Sequence, residues 1–202
     1  MSRSSIPARF SAARTRSIRT AFSSIAAVAV GCRVCTPAEM TWKRGVDVLS
    51  FGGTKNGCWC VEAIVFFDPQ LAKDFAFLRK RTAQLFSKSR FIAAQFEAYL
   101  QDDLWLGLAK HANKMADRLR TGFGSLNSAR LAWPTEANEV FAVLPKASAK
   151  AAAEQGAKFY DWLEPRDMPE KVRKDEALIR MVTSFATTEE DVDQFLSICA
   201  SA

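Results

Sequence analysis

The chain has 202 residues, 49% apolar and 25% charged, enough for one large or two small globular domains. It lacks a run of about 18 apolar residues, so no membrane-spanning helix is predicted. The net charge of +6 does not imply nucleic-acid binding, because the excess is local: residues 1–35 hold Arg3, Arg9, Arg14, Arg16, Arg19 and Arg33 without Asp, Glu or Lys, and the remainder balances its 22 acidic side chains.

The leading segment, 1–35, is rich in Ser, Arg and Ala and reads as an unassigned basic stretch. Its composition suits disorder, an organellar transit peptide or a shifted reading frame, and these alternatives stay open. Order is predicted to begin at Thr36, with Thr36 as helix N-cap, Pro37 in the first turn and Glu39 completing a capping box. Residues 46–51 and 61–67 read as strands flanking a turn at 52–57, and Asp68-Pro69 stops the second. A helix follows over 70–86, with Leu71, Phe75, Leu78 and Leu85 on its apolar side. A longer one runs from Phe91 to about Leu119 and ends by Gly122 and Gly124. Strands are predicted at 130–133, 140–144, 158–163 and 178–185, with an alanine-rich helix at 147–155 closed by Gly156. Thr187 or Thr188 caps a last helix, whose apolar face carries Val192, Phe195 and Leu196.

Five cysteines are an odd number and suggest reduced thiols in an intracellular compartment. Cys32, Cys35, Cys58 and Cys60 could in principle supply four thiolates to zinc. The reading preferred here is no metal: the first pair lies in a segment with little sign of order, and the second reads as small apolar residues on one strand face.

The informative stretch is Ser50-Phe51-Gly52-Gly53-Thr54-Lys55-Asn56-Gly57. It puts a lysine on a glycine-flanked turn between two apolar strands, where backbone can approach a flat ligand closely. An amine held there and shielded from water becomes a better nucleophile toward an aldehyde. On chemistry alone a solvated lysine on a glycine turn is the plainer reading.

The stretches 36–42, 46–57, 62–67, 79–91, 136–144 and 180–193 resemble the threonine aldolase family of fold-type I pyridoxal-phosphate enzymes, in its low-specificity branch. The resemblance covers the C-terminal half of that family. It implies an α/β fold: part of an aminotransferase-like large domain over 36–125, then a small C-terminal α/β domain over 126–202. It implies pyridoxal 5'-phosphate as cofactor, bound covalently by Lys55, with Thr54 near the cofactor phosphate. Arg180 matches the arginine that pairs with the substrate α-carboxylate, a planar group suited to a bidentate guanidinium. Lys80 and Arg90 match a region that reaches toward a neighbouring subunit; a solvated helix end is the alternative. The single histidine, His111, lies mid-helix and reads as structural or exposed.

The implied activity is retro-aldol cleavage of threonine- or allo-threonine-type β-hydroxy-α-amino acids to glycine and an aldehyde. The implied partners are a small amino-acid substrate and further copies of the chain, with neither nucleic acid nor membrane. The implied compartment is the cytoplasm, or an organelle if 1–35 is a transit peptide. The family's N-terminal half, with its phosphate loop, ring-stacking histidine and Asp-Gly-Ala-Arg motif, has no match in this sequence. Weak activity of the chain alone is therefore expected, with uncovered apolar faces. Two other readings remain: a remnant or oligomerising fragment without cofactor, and a targeted subunit that completes its site with another polypeptide.

Overall fold

The computed structural model describes the backbone of residues 20–23 and all of residues 36–166, 168 and 170–201. Two sheets organise it. The first has the order β1-β2-β3, with β1 (Thr20–Ser23) parallel to β2 (Val48–Gly52) and β3 (Glu62–Phe66) antiparallel to β2. The second has the order β4-β5-β7-β6 and is antiparallel throughout. Its strands are β4 (Arg130–Leu131), β5 (Glu139–Pro145), β6 (Tyr160–Asp161) and β7 (Glu176–Val182).

Helix α1 (Pro37–Met40) starts as the sequence dictates. Thr36 Oγ1 accepts the Glu39 N–H at 3.3 Å, and the Glu39 carboxylate accepts the Thr36 N–H at 2.7 Å. The strand predicted at 46–51 forms two residues later, and that at 61–67 is slightly shorter. Strand β1 falls in the segment to which the sequence assigned no element. The rest of 1–35 lies outside the described residues, as do Cys32 and Cys35.

Both long predicted helices are broken. Residues 69–72 form a 3-10 turn, and α2 (Phe75–Arg81) ends before Ala83, whose φ of 58° no helix continues. The predicted 91–119 helix divides into α3 (Ser89–Leu100) and α4 (Leu104–Gly124). At the joint Asp102 and Asp103 take φ of 50° and 57°. Apolar period alone cannot show this break, because the register resumes at Leu104; aspartate is one of the few side chains that tolerates left-handed backbone.

Helices α5 (Lys146–Glu154) and α6 (Glu189–Ser201) cover one face of the second sheet together with the C-terminal half of α4. Met115, Leu119 and Phe123 of α4 join Val140, Leu144, Ile179, Met181 and Val192 in the main core. The other face carries Val143, Met168 and Leu178. Thr188 is the residue that caps α6, its Oγ1 accepting the Asp191 N–H at 3.1 Å.

Helix α4 therefore serves both sheets. Near its start the Trp105 carbonyl accepts a hydrogen bond from Asn56 of the first sheet's turn at 2.9 Å. Two turns on, the Ala112 carbonyl accepts one from Thr183 Oγ1, just past β7, at 2.7 Å. Seven residues separate these carbonyls, roughly 10 Å of helix, so the lysine turn and the end of β7 share one rigid rod.

Candidate active site

The turn between β2 and β3 is pinned from several directions. Its backbone closes with Gly53 N–H to Val61 O at 3.0 Å, and with the Asn56 and Cys58 N–H groups to Gly53 O at 2.9 and 3.1 Å. Phe51, near the end of β2, packs among Phe96, Tyr99 and Trp105, its ring centroid 5.6–6.2 Å from theirs. Those rings come from α3 and α4, so the aromatic cluster seats the sheet on both helices. Gln95 of α3 takes the backbone N–H groups of Trp59 and Cys60 on one oxygen, at 3.0 and 3.2 Å. A Cβ at Gly52 would meet only the carboxylate end of the exposed Glu62 side chain, which can swing aside.

Lys55 stands at the crest of this turn and is exposed. Among the described residues its ammonium has no hydrogen-bond or ion-pair partner. The shielding that the flanking strands could give is not supplied by the described residues: the strands fix the turn's backbone, but the side chain is exposed. The amine is free and accessible. Thr54 is committed locally. Its Oγ1 accepts the Val61 N–H at 3.2 Å and lies 3.4 Å from both Val61 O and Glu62 Oε1.

Arg180 sits in the middle of β7, opposite Phe141 and Tyr160. It shares the sheet face of Leu178, away from α4, α5 and α6. Its guanidinium pairs with Glu139 and lies 5.4 Å from the centroid of the Trp162 ring. Phe141 packs edge-on against Trp133 and Trp162, with centroids 5.2 and 5.4 Å away, giving this face an aromatic floor. Cation–aromatic contact plus an ion pair restricts the guanidinium before any ligand arrives. The structure does not join Lys55 to Arg180 by a contact. They belong to different sheets linked through α4.

Lys80 and Arg90 are exposed on α2 and α3, far along the chain from both, with the Arg90 guanidinium 4.9 Å from the Phe91 ring centroid. His111 is half-buried, and its Nε2 lies 2.7 Å from Thr187 O, so of the two readings, structural or exposed, the contact favours the first. Cys58 and Cys60 lie in the loop before β3, not on a strand face. Burial pushes the Cys58 thiol up, which disfavours a thiolate. Among the described residues no cluster of three or more His, Cys, Asp or Glu is placed to hold a metal ion.

Sequence reasoning missed Tyr99, Trp105 and Gln95. They arrive from helices more than 35 residues beyond the lysine motif. The only sequence signal was an aromatic excess on those helices, which ordinary core packing also explains.

Known proteins resemble the chain closely. The family model described as beta-eliminating lyase matches residues 8–147, beginning inside the leading segment. Low-specificity L-threonine aldolases from Pseudomonas aeruginosa and from a Pseudomonas species are 46% and 44% identical over 129 residues. That match takes in 64% of this chain but 37% of each relative, so the chain spans little more than a third of their length. A Leishmania major threonine aldolase structure superposes with a TM-score of 0.75 at 27% identity, over 89% of this chain and 50% of that one. A Sphingomonas wittichii serine palmitoyltransferase superposes at 0.55 with 16% identity, over 91% of this chain and 46% of that one, which shows the fold alone. The architecture is thus α/β and corresponds to about half of the fold-type I arrangement that these enzymes share.

Proposed function

The chain belongs to the beta-eliminating lyase family, and from that premise we propose that it carries part of a pyridoxal-phosphate-dependent threonine aldolase site, with Lys55 as the cofactor-binding lysine. The observation that carries the reading is the free amine of Lys55 on a turn whose backbone is fixed on every side. Those residues fit the aldehyde end of the cofactor, which asks for an accessible, unpaired primary amine.

The substrates proposed are β-hydroxy-α-amino acids of the threonine and allo-threonine type, cleaved to glycine and an aldehyde. Bound pyridoxal phosphate supplies a ring that accepts the electron pair of the breaking Cα–Cβ bond. The chain's own residues do the rest. Lys55 Nζ would be the primary amine that holds the cofactor's aldehyde end. Thr54 Oγ1 anchors the turn through Val61; its proton, spent only on contacts of 3.4 Å, can turn to a phosphate oxygen. Arg180 holds the substrate carboxylate with the N–H donors that Glu139 leaves free, and the Trp162 ring limits its motion.

We read 36–125 as the C-terminal part of the large domain and 126–202 as the small domain. Two separate sheets support this division, with α4 reaching across it. We also propose a homo-oligomer in which Lys80 and Arg90 approach a neighbouring subunit. The exposed Phe77, Phe86 and Phe91 around them support it. Among the described residues no helix is long and apolar enough to cross a membrane. Unpaired thiols at Cys58, Cys60 and Cys199 support a reducing, cytoplasmic compartment.

The test is to mix the chain with pyridoxal phosphate, reduce with borohydride and map the pyridoxyl group by mass spectrometry. A single modified site at Lys55, lost in Lys55→Ala, supports the proposal. Modification scattered over exposed lysines such as Lys43 and Lys80 overturns it.

A further inference from the structure

We infer that Asn56 and Tyr99 form a positioning pair that holds the Lys55 turn in place for carbonyl chemistry, an inference that rests on the reading of Lys55 above. Among the described residues Lys55 has no side-chain bond that fixes its direction, so its neighbours must do so. Thr54 ties one side of the turn to β3 through Val61. Asn56 ties the other side to the helices.

The Asn56 side chain is 5% exposed and its Nδ2 donates twice, to Tyr99 Oη at 2.6 Å and to Trp105 O at 2.9 Å. The orientation of the amide is settled by chemistry, since a backbone carbonyl only accepts and the group facing Trp105 must therefore be the NH2. Tyr99 is 2% exposed, and burial pushes its phenol up, keeping it neutral and able to accept. A buried amide with both donors engaged cannot reorient without leaving one unpaired, which is what makes it a rigid anchor.

The flanking residues agree. Gly57 takes φ of +107° to turn the chain away from Asn56, and a Cβ there would meet Leu108 Cδ1 at 2.9 Å. Tyr99 also packs its ring against Phe51, so the phenol and the turn are held by the same aromatic cluster. The pair thus lies on the buried, helix-facing side of the turn and acts on Lys55 only through backbone geometry.

The test uses the full chain and the variants Asn56→Ala, Tyr99→Phe and the double. The first reading is the association constant for pyridoxal phosphate at Lys55, by absorbance titration with borohydride mapping. The second is hydrogen exchange of the Lys55–Gly57 amides, with thermal midpoints as a measure of bulk stability. Tyr99→Phe removes one oxygen and keeps the ring packing, so it is the variant least prone to unfold. Each single substitution is expected to weaken association about tenfold and to speed exchange in the turn. The double should be no weaker than the weaker single, because one linkage is broken in each case. Unchanged association and exchange, with only the thermal midpoint lowered, would overturn the inference and leave the pair structural. If the unaltered chain gives no adduct at Lys55, the aldolase reading falls. The exchange rates then still decide whether the pair holds the turn: faster exchange in both variants upholds it, and unchanged exchange defeats it.

Discussion

Arg180 meets a carboxylate before any substrate arrives. Glu139 lies beside it on the neighbouring strand and takes one of its N–H groups, while Trp162 stacks on its guanidinium. An amino-acid carboxylate binding there must share or displace Glu139. For a half-exposed ion pair the competition costs about 0.5–1 kcal/mol. Glu139→Gln is therefore predicted to tighten binding of glycine or threonine by about two- to fivefold, read by calorimetry on cofactor-loaded protein. A loss of affinity would contradict the competition and show instead that Glu139 orients the guanidinium. At this scale the sequence singled out Lys55 and Arg180 through motif resemblance, and the roles of both are proposals; position alone was enough to name the Thr36 cap. Tyr99 and Gln95 were illegible, because their importance comes from partners on distant segments. Lys55's exposure agrees with the plainer reading of a glycine turn: two apolar strands flank it in sequence, yet they do not cover it in space.

Among the elements, strands and caps were the more legible because their signals are local. A β-branched run bounded by Gly or Pro marks a strand, and Thr-Pro-x-Glu marks a helix start. The helices were read as too long because the apolar period survives the breaks at Ala83 and at Asp102–Asp103. The second break matters for the site, since it lets α3 and α4 approach the lysine turn from different directions, bringing Tyr99 and Trp105 together on Asn56. Left-handed backbone costs an ordinary L-residue roughly 1–2 kcal/mol, and a β-branched one has least tolerance for it. Asp103→Val is predicted to lower stability by at least about 1–2 kcal/mol, whereas Asp103→Gly stays close to neutral, by denaturant melts. Equal effects of the two substitutions would show that the joint is not under backbone control.

Across the whole molecule, apolar surface is unevenly distributed. The second sheet buries its helix-covered face thoroughly, while α2, α3 and the segment between them leave Phe77 76% exposed and Leu85, Phe86 and Phe91 exposed as well. Trp59, just after the lysine turn, is 83% exposed. Large apolar side chains left in water are what the proposed subunit contact would cover. The sequence placed Leu78 and Leu85 on the apolar side of a helix and so gave them a buried role. Amphipathic patterning shows which face seeks cover, but not whether this chain provides it. Replacing Phe77 and Phe86 by Ser is predicted to reduce self-association in sedimentation velocity without lowering the thermal midpoint by more than about 1 kcal/mol equivalent, as expected for exposed positions. Unchanged association would place the subunit contact elsewhere.

The central claim concerns one amine, and borohydride trapping of pyridoxal phosphate on the intact chain tests it most directly. The account predicts one pyridoxyl group, on the peptide containing Lys55, absent from Lys55→Ala. Equal labelling of Lys55 and the other exposed lysines would contradict it, because the fixed turn would then confer no special chemistry on that residue.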